Sequence, residues 1–114
     1  MGKLVASVLI VAAALIDAPA ASAPSNIEIV NHSGTALRDL ALRRVGDKTW
    51  RPLGVVTAPG SSARVSFAES DCVYDLRATL PGVGEVLWGG VNLCDVKRVA
   101  LYRDSSGRRW VDYD

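Results

Sequence analysis

The chain has very few of the residues from which most catalytic centres are built. Among its 114 residues there is one histidine, His32, and there are two cysteines, Cys72 and Cys94. A histidine base needs a nucleophile and an orienting carboxylate beside it, and the sequence contains no serine-nucleophile motif. A cluster of metal ligands and a phosphate-binding glycine loop are missing from it as well. The sequence therefore predicts a protein that is not an enzyme and has no cofactor.

Charge of one sign is not in excess either. Lys and Arg total 13 and Asp and Glu total 12, which gives a formal net charge of +1 at pH 7, and the two signs are interspersed along the chain. Domains that bind nucleic acids usually show a basic patch and a high isoelectric point. The composition therefore argues against nucleic acid as a partner.

The apolar run near the start of the chain is too short for a membrane-spanning helix, which needs about 20 residues. This run, residues 4–16, is apolar apart from Ser7, follows Lys3 and leads into the small residues at positions 18–23. A basic start, a short apolar segment and a small-residue exit are the three regions of a secretory signal peptide. We expect residues 1–23 to be a signal peptide, with cleavage after Ala20 or Ser22 favoured. Residues 24–114 would then form one secreted or periplasmic domain without a membrane span.

The two cysteines fit this compartment. An exported protein meets oxidising conditions, in which a lone pair such as Cys72 and Cys94 normally forms a disulfide. A redox-active pair or two metal thiolates are the alternatives, but there is no Cys-x-x-Cys spacing and His32 is far from both cysteines in sequence. We expect a disulfide that stabilises the fold by about 3 kcal/mol through its constraint on the unfolded chain.

After residue 24, short runs alternate between apolar and polar positions, and turn residues separate them about every ten positions. The clearest run places alternate side chains from Cys72 to Leu80 on one face and predicts a central strand. Other runs lie at residues 26–31, 50–56, 64–67, 85–88, 91–94, 96–103 and 110–113. The pattern predicts an all-β fold, a two-layer antiparallel β-sandwich of about seven to eight strands. A small β-barrel is the alternative.

Residues 37–45 fit two structures. Their apolar residues fall at helical spacing and are good helix formers, whereas a strand would place Leu40 and Leu42 inward. Because Gly46 and Asp47 follow as a turn and the other segments are β, we expect a strand here, with a helix as the alternative.

A series of marker residues runs in a distinctive order from Asn26 to Leu101. They are Asn31-x-Ser33-Gly34, Leu40-x-Leu42, Gly46, Trp50, Leu53-Gly54, Pro59-Gly60, Asp71-Cys72-x-Tyr74-Asp75-Leu76-Arg77, Trp88 and Asn92-Leu93-Cys94. This order resembles a family of small exported bacterial β-sandwich proteins of unknown function, which share Asn-x-Ser/Thr-Gly, Trp, Leu-Gly, Cys-x-Tyr-Asp-Leu/Ile-Arg, Trp and Asp/Asn-Leu-Cys. The resemblance implies a common fold and a common disulfide, and it favours a bacterial source. It implies no activity.

The chain departs from that pattern in two places. Asn92 stands where the family more usually has an aspartate, which weakens any metal-binding role for this position. Arg51 and Pro52 follow Trp50, where the family commonly has a glycine. Residues 102–114 lie outside the resemblance, so their role is the least constrained.

Aromatic residues provide the main candidate for a binding surface. Trp88 lies on an alternating run close to Cys94 and is expected in the core. Trp50 and Arg51 together with Trp110 and Tyr113 could instead form an exposed patch for a partner or a sugar ring. These four residues are the predicted binding patch, although core packing is the simpler expectation for most of the tryptophans.

Two acidic residues are a weaker candidate for a site. A Cys72–Cys94 bond would bring Asp71 and Asp95 close together, and carboxylates could hold calcium, but the spacing does not resemble a calcium loop. A polar rim around the disulfide is the simpler interpretation. His32 is expected to be a solvated turn residue.

These observations together favour a non-catalytic binding or structural module of the bacterial cell envelope, whose partner is an unknown protein or envelope component. A β-sandwich that binds a small ligand, a carbohydrate or calcium is the alternative function.

Overall fold

The protein folds into eight β-strands in the computed structural model, which describes residues 25–55, 57–67 and 71–114. The predicted signal peptide and the end of the predicted 50–56 strand, Val56, lie outside these residues. The strands are β1 Ser25–His32, β2 Arg38–Arg44, β3 Arg51–Pro52, β4 Ser62–Phe67, β5 Val73–Leu80, β6 Gly84–Asn92, β7 Arg98–Arg103 and β8 Arg109–Tyr113. The region predicted to be either strand or helix, residues 37–45, is a strand, β2.

The strands form two four-stranded sheets that are not closed into a barrel, which confirms the predicted sandwich. One sheet has the order β4-β1-β7-β8 and the other has the order β3-β2-β5-β6. Five pairings of these named strands are antiparallel, but β1 and β7 run parallel. Alternation along a strand determines which side chains face inward and says nothing about the direction of its neighbour, so the sequence pattern did not reveal the parallel pair.

The core lies between the two sheets and is filled by the alternating residues that the sequence pattern pointed inward. Tyr74, Leu76, Ala78 and Leu80 of the central strand β5 are all buried. Trp88 of β6 is buried as predicted, and its indole N–H donates a hydrogen bond of 3.0 Å to the carbonyl of Tyr102 on β7. This bond links the two sheets and satisfies the one polar group of the indole.

Two irregular positions explain where simple alternation fails. The register of β2 against β5 shifts between Arg38 and Ala41, and Asp39 between them has a φ of 51°. Because a bulge lets consecutive side chains leave the strict two-residue period, Leu40, Ala41 and Leu42 are all buried. Two of the three, Leu40 and Ala41, belong to the helical spacing that the sequence shows over residues 37–45.

The Gly89-Gly90 pair separates two of the predicted runs, 85–88 and 91–94, and it bends the chain within one strand, β6. Tyr74 pairs with Val91 and Leu76 pairs with Trp88, so two glycines of β6 lie opposite one residue of β5. Gly90 has a φ of 65°, which a glycine adopts without the steric cost that other residues meet. Its N–H donates to the carboxylate of the opposing residue, Asp75, at 3.1 Å.

A buried asparagine holds the loop between β1 and β2 against the segment that precedes β4. The Asn31 amide donates to the carbonyls of Thr35 and Thr57 at 2.8 and 3.2 Å. Its carbonyl oxygen accepts from the Ser33 N–H at 2.9 Å and from the Ser33 hydroxyl at 2.6 Å. Each side-chain hydrogen-bonding atom of this fully buried residue therefore has a partner. This network is the structural basis of the Asn31-x-Ser33 marker pair.

The predicted disulfide is confirmed. Cys72 and Cys94 are bonded, with their Cα atoms 5.0 Å apart, and the Leu93 N–H donates to the Cys72 carbonyl at 2.8 Å. The bridge therefore ties the open end of the hairpin formed by β5 and β6. In the part of the chain that the structure describes, no helix is long and apolar enough to cross a bilayer.

Candidate binding face

The outer face of the β4-β1-β7-β8 sheet carries aromatic, apolar and charged side chains next to one another. Alternation buries the odd-numbered side chains of β1 and turns the even-numbered ones outward, and the pairing registers place the even-numbered residues of β7 and β8 on the same outer face. The parallel register places Glu28 beside Arg98, Val30 beside Ala100 and His32 beside Tyr102. We call this surface the β1-β7 face and define it by Glu28, Val30, His32, Arg98, Ala100, Tyr102, Trp110, Asp112 and Asp114.

One side of the β1-β7 face is an aromatic row that crosses three strands. The His32 and Tyr102 rings lie 4.6 Å apart with planes 15° from parallel, and the Tyr102 and Trp110 rings lie 5.1 Å apart with planes 8° from parallel. These separations are close to the spacing of neighbouring strands. Near-parallel rings this close overlap face to face, so the row presents ring edges to a ligand lying on the sheet. The Arg108 guanidinium extends the row, 5.3 Å from the centre of the Trp110 ring.

The opposite side of the β1-β7 face is a row of ion pairs. The Arg98 Nε lies 2.8 Å from a Glu28 carboxylate oxygen, and its Nη1 lies 3.4 Å from a carboxylate oxygen of Asp114. The hydrogen bond and the positive charge of Arg98 lower the pKa of Glu28, and the same contacts raise the pKa of Arg98. The row is open to solvent, so its pairs add little to stability.

This charged row gives a prediction about pH. Because the pKa of Glu28 is lowered from 4.5 in the folded protein, the pairing with Arg98 is complete above that value and is lost as the pH falls through the folded-state pKa. Arg98→Ala is expected to return the pKa of Glu28 toward 4.5. NMR titration of the Glu28 carboxyl carbon between about pH 2 and pH 7 measures this value. Arg64→Ala is the control with a smaller shift, since Arg64 acts on Glu28 only through its charge. A Glu28 pKa that is not lowered from 4.5 in the unmutated protein would contradict the prediction.

A shallow depression lies between the two rows. It has a volume of about 400 Å³, and the small side chains of Val30 and Ala100 lie at its centre. Ser62 of β4 and Asp112 of β8 border it at the two edges of the sheet. The depression therefore crosses the strands, with aromatic edges on one side and charges on the other.

The predicted patch of Trp50, Arg51, Trp110 and Tyr113 is divided between the two sheets. Trp110 and Tyr113 lie on β8. Trp50 immediately precedes β3 in the other sheet, and Arg51 is the exposed first residue of that strand. The sequence could not show this division, because it depends on which sheet each strand joins.

Trp50 is held by two arginines. The guanidinium carbons of Arg43 and Arg77 lie 4.4 and 4.3 Å from the centre of its ring, and the ring is half-buried. Arg43 is itself paired with Asp75 at 3.0 Å, and Arg77 with Glu85 at 3.7 Å. Two cations on one indole form cation–π contacts that a ligand would have to displace. The surroundings of Trp50 therefore favour a structural role on the outer face of the second sheet.

The acidic candidates are not assembled as a metal centre among the described residues. The carboxylate of Asp71 pairs with Arg44 at 2.7 Å, and Asp95 lies in the β6-β7 loop, next to Cys94. Within the described ranges no group of three or more His, Cys, Asp or Glu side chains could hold a metal ion.

His32 differs from the solvated turn residue that we expected. It is the last residue of β1, and although it is exposed its ring stacks on Tyr102. Sequence reasoning missed this contact and the role of Tyr102, because the two residues are 70 positions apart. The only available signal was the even spacing of Arg98, Ala100 and Tyr102 on one strand.

Comparison with known proteins does not assign this geometry to a known family. No family model, curated protein or solved structure matches the chain. The suspected resemblance to small exported bacterial proteins therefore stays a prediction, and the function has to be argued from the site.

Proposed function

We propose that this protein is an exported, non-catalytic binding module of the bacterial cell envelope and that it binds an envelope component through the β1-β7 face. The observation that carries the proposal is the depression between the aromatic row and the charged row. It offers apolar contact, ring edges and charged groups side by side, as small binding sites do. The disulfide fits an oxidising compartment, and the leader-like start of the chain supports export.

The surroundings of His32 support binding over catalysis. Its ring is stacked against Tyr102, and the structure gives it no hydrogen bond to a carboxylate or to a nucleophile among the described residues. A general base has to be oriented by such a partner and lie within hydrogen-bond reach of the proton that it accepts. The stacked rings of His32 and Tyr102 suit a different role, as one wall of the depression.

The geometry also supports a particular shape of ligand. Ring faces that cover one another leave no flat platform for a single sugar ring, whereas a depression that crosses four strands accommodates a chain-like segment. We therefore favour an extended envelope component over a small, compact ligand.

The test is a co-sedimentation experiment with the processed protein. Insoluble cell-wall material and membrane vesicles from the same bacterium are incubated separately with the protein, and the protein left in the supernatant is measured. We expect saturable depletion by one fraction, with at least about tenfold weaker binding for the double variant His32→Thr, Tyr102→Thr, since threonine keeps the preference for a strand while removing the rings.

Trp50→Thr is the matched control, because it removes an aromatic residue of the other sheet and should leave binding unchanged. Circular dichroism of all variants verifies folding. The proposal fails if neither fraction depletes the protein at about 100 µM, a concentration well above the Kd of a specific complex. It also fails if the double variant is folded and binds as the unmutated protein does.

A further inference from the structure

Strand β8 is an edge of its sheet and has one free side. In the described residues it pairs only with β7, and Arg98 and Asp114 exchange backbone hydrogen bonds of 3.3 and 3.0 Å across that pairing. The Asp104 N–H likewise donates to the Arg108 carbonyl at 3.0 Å. Since backbone groups alternate in direction along an antiparallel strand, the N–H and C=O groups of Arg109, Val111 and Tyr113 point away from β7. These groups are the hydrogen-bonding edge that another strand would use.

Exposed apolar side chains cluster along this free edge. Leu87, Trp110 and Tyr113 are 37%, 37% and 46% exposed, and they are half of the large hydrophobic side chains exposed in the described residues. All three border a cleft of about 420 Å³ between β8 and β6. The Tyr113 hydroxyl accepts a hydrogen bond of 3.0 Å from the N–H of Asn92, the last residue of β6. A strand added to β8 would cover apolar surface that is now in water.

The sequence of this edge is complementary to itself. Residues 108–114 read Arg-Arg-Trp-Val-Asp-Tyr-Asp, with cations at one end and carboxylates at the other. An antiparallel pairing of two copies centred on Val111 places Arg108 opposite Asp114 and Trp110 opposite Asp112. It also places Arg109 opposite Tyr113, where a cation meets an aromatic ring. A parallel, in-register pairing would instead oppose like charges.

We propose that two copies of this protein associate through the free edges of their β8 strands, antiparallel and centred on Val111. The contact is isologous, so each attractive pair occurs twice about the twofold axis. The free backbone groups of Arg109, Val111 and Tyr113 lie in phase for this pairing, because the N–H and C=O of Val111 point toward the partner and away from β7. Charged edges usually prevent sheet-to-sheet association. In this chain the order of the charges makes the second copy the matching partner.

This inference goes beyond the proposed binding role and does not depend on it. Its test is sedimentation equilibrium of the processed protein from about 1 to 500 µM, since a single added strand pair forms a small interface of weak affinity. We expect a monomer–dimer equilibrium within this range. A protein that stays monomeric throughout would overturn the proposal.

Charge reversal tests the register. Arg108→Asp and Asp114→Arg each replace two attractive pairs with two repulsive ones, so each variant alone should dimerise at least about tenfold more weakly. The double variant Arg108→Asp, Asp114→Arg restores both pairs and should recover the dimer. An equimolar mixture of the two single variants should form a heterodimer about as tightly as the unmutated protein dimerises, although each variant alone associates only weakly.

The mixture separates the proposal from a simple loss of folding, because two misfolded proteins would not rescue each other. Arg64→Asp is the matched control: it reverses an exposed arginine on β4, the opposite edge of the same sheet, and should leave dimerisation unchanged. A dimer that neither single reversal weakens, or a mixture that stays monomeric, would overturn the proposed pairing.

Discussion

Replacing Asn31 with alanine is expected to lower the free energy of unfolding by about 3 kcal/mol. The substitution removes four hydrogen bonds of a fully buried side chain and leaves the buried Ser33 N–H without its acceptor. It also removes the hydrogen bond that the Asn31 amide makes to the Thr57 carbonyl across 26 positions of sequence. Chemical denaturation followed by circular dichroism measures the change.

Asn92→Ala is the matched control for this prediction. Asn92 makes the same local contact as Asn31, since its side-chain oxygen accepts from the N–H two residues later at 2.9 Å, but its side chain is exposed. Water replaces an exposed hydrogen bond at little cost, so the control should lose less than about 1 kcal/mol. Equal losses for the two variants would show that burial of the Asn31 network is not what stabilises the loop.

The variant Asn31→Asp separates the two halves of the network. A carboxylate keeps the acceptor for Ser33 but turns a second oxygen toward the carbonyls of Thr35 and Thr57. Burial and these carbonyls favour the neutral acid, which raises the pKa of the introduced carboxyl above its unfolded value. The variant should therefore be least stable at neutral pH and should recover stability as the pH falls through that raised pKa. A loss that is independent of pH would contradict this account.

Removing the disulfide is expected to have an effect of similar size. The double variant Cys72→Ala, Cys94→Ala should lose about 3 kcal/mol, because the bridge closes a loop with a sequence separation of 22 and so restricts the unfolded chain. Cys72 is exposed and Cys94 is half-buried, so the two substitutions leave little empty volume in the core. Equilibrium denaturation of the oxidised protein and of the double variant gives the difference.

Reduction supplies the control for the disulfide. A reductant should destabilise the unmutated protein to about the level of the double variant and should leave the double variant unchanged. If the double variant and the oxidised protein unfold at the same denaturant concentration, the hydrogen-bonded hairpin of β5 and β6 is sufficient without the covalent link.

Local sequence patterns predicted most of the strands, because the alternation of inward and outward side chains is a property of consecutive residues. Every second side chain of β5 from Tyr74 to Leu80 is buried, as the alternation along this strand requires. Two of the places where the pattern was ambiguous or incomplete are bulges, at Asp39 in β2 and at Gly89-Gly90 in β6. A bulge changes the period by one residue, and its position depends on the partner strand as much as on the bulged one.

The candidate site was predicted only in fragments. Trp110 and Tyr113 belong to the predicted patch, and both are exposed on one edge strand. Their grouping with Trp50 and Arg51 joined residues that the fold assigns to different sheets. Tyr102, to which both His32 and Trp110 stack, was not singled out because nothing next to it in sequence distinguishes it.

The sequence by itself determined the properties that depend on composition and on near neighbours. These are the all-β fold class, the inward and outward faces of the strands, the turns, and a disulfide between the only two cysteines. The tertiary structure alone decided the properties that depend on register between distant strands. The parallel pairing of β1 with β7 brings Glu28 to Arg98 and His32 to Tyr102 across 70 positions, and it thereby creates the β1-β7 face. The physical reason is that a strand's own pattern selects its buried side, whereas its neighbour, direction and register are selected by how the two sheets together bury the most apolar surface.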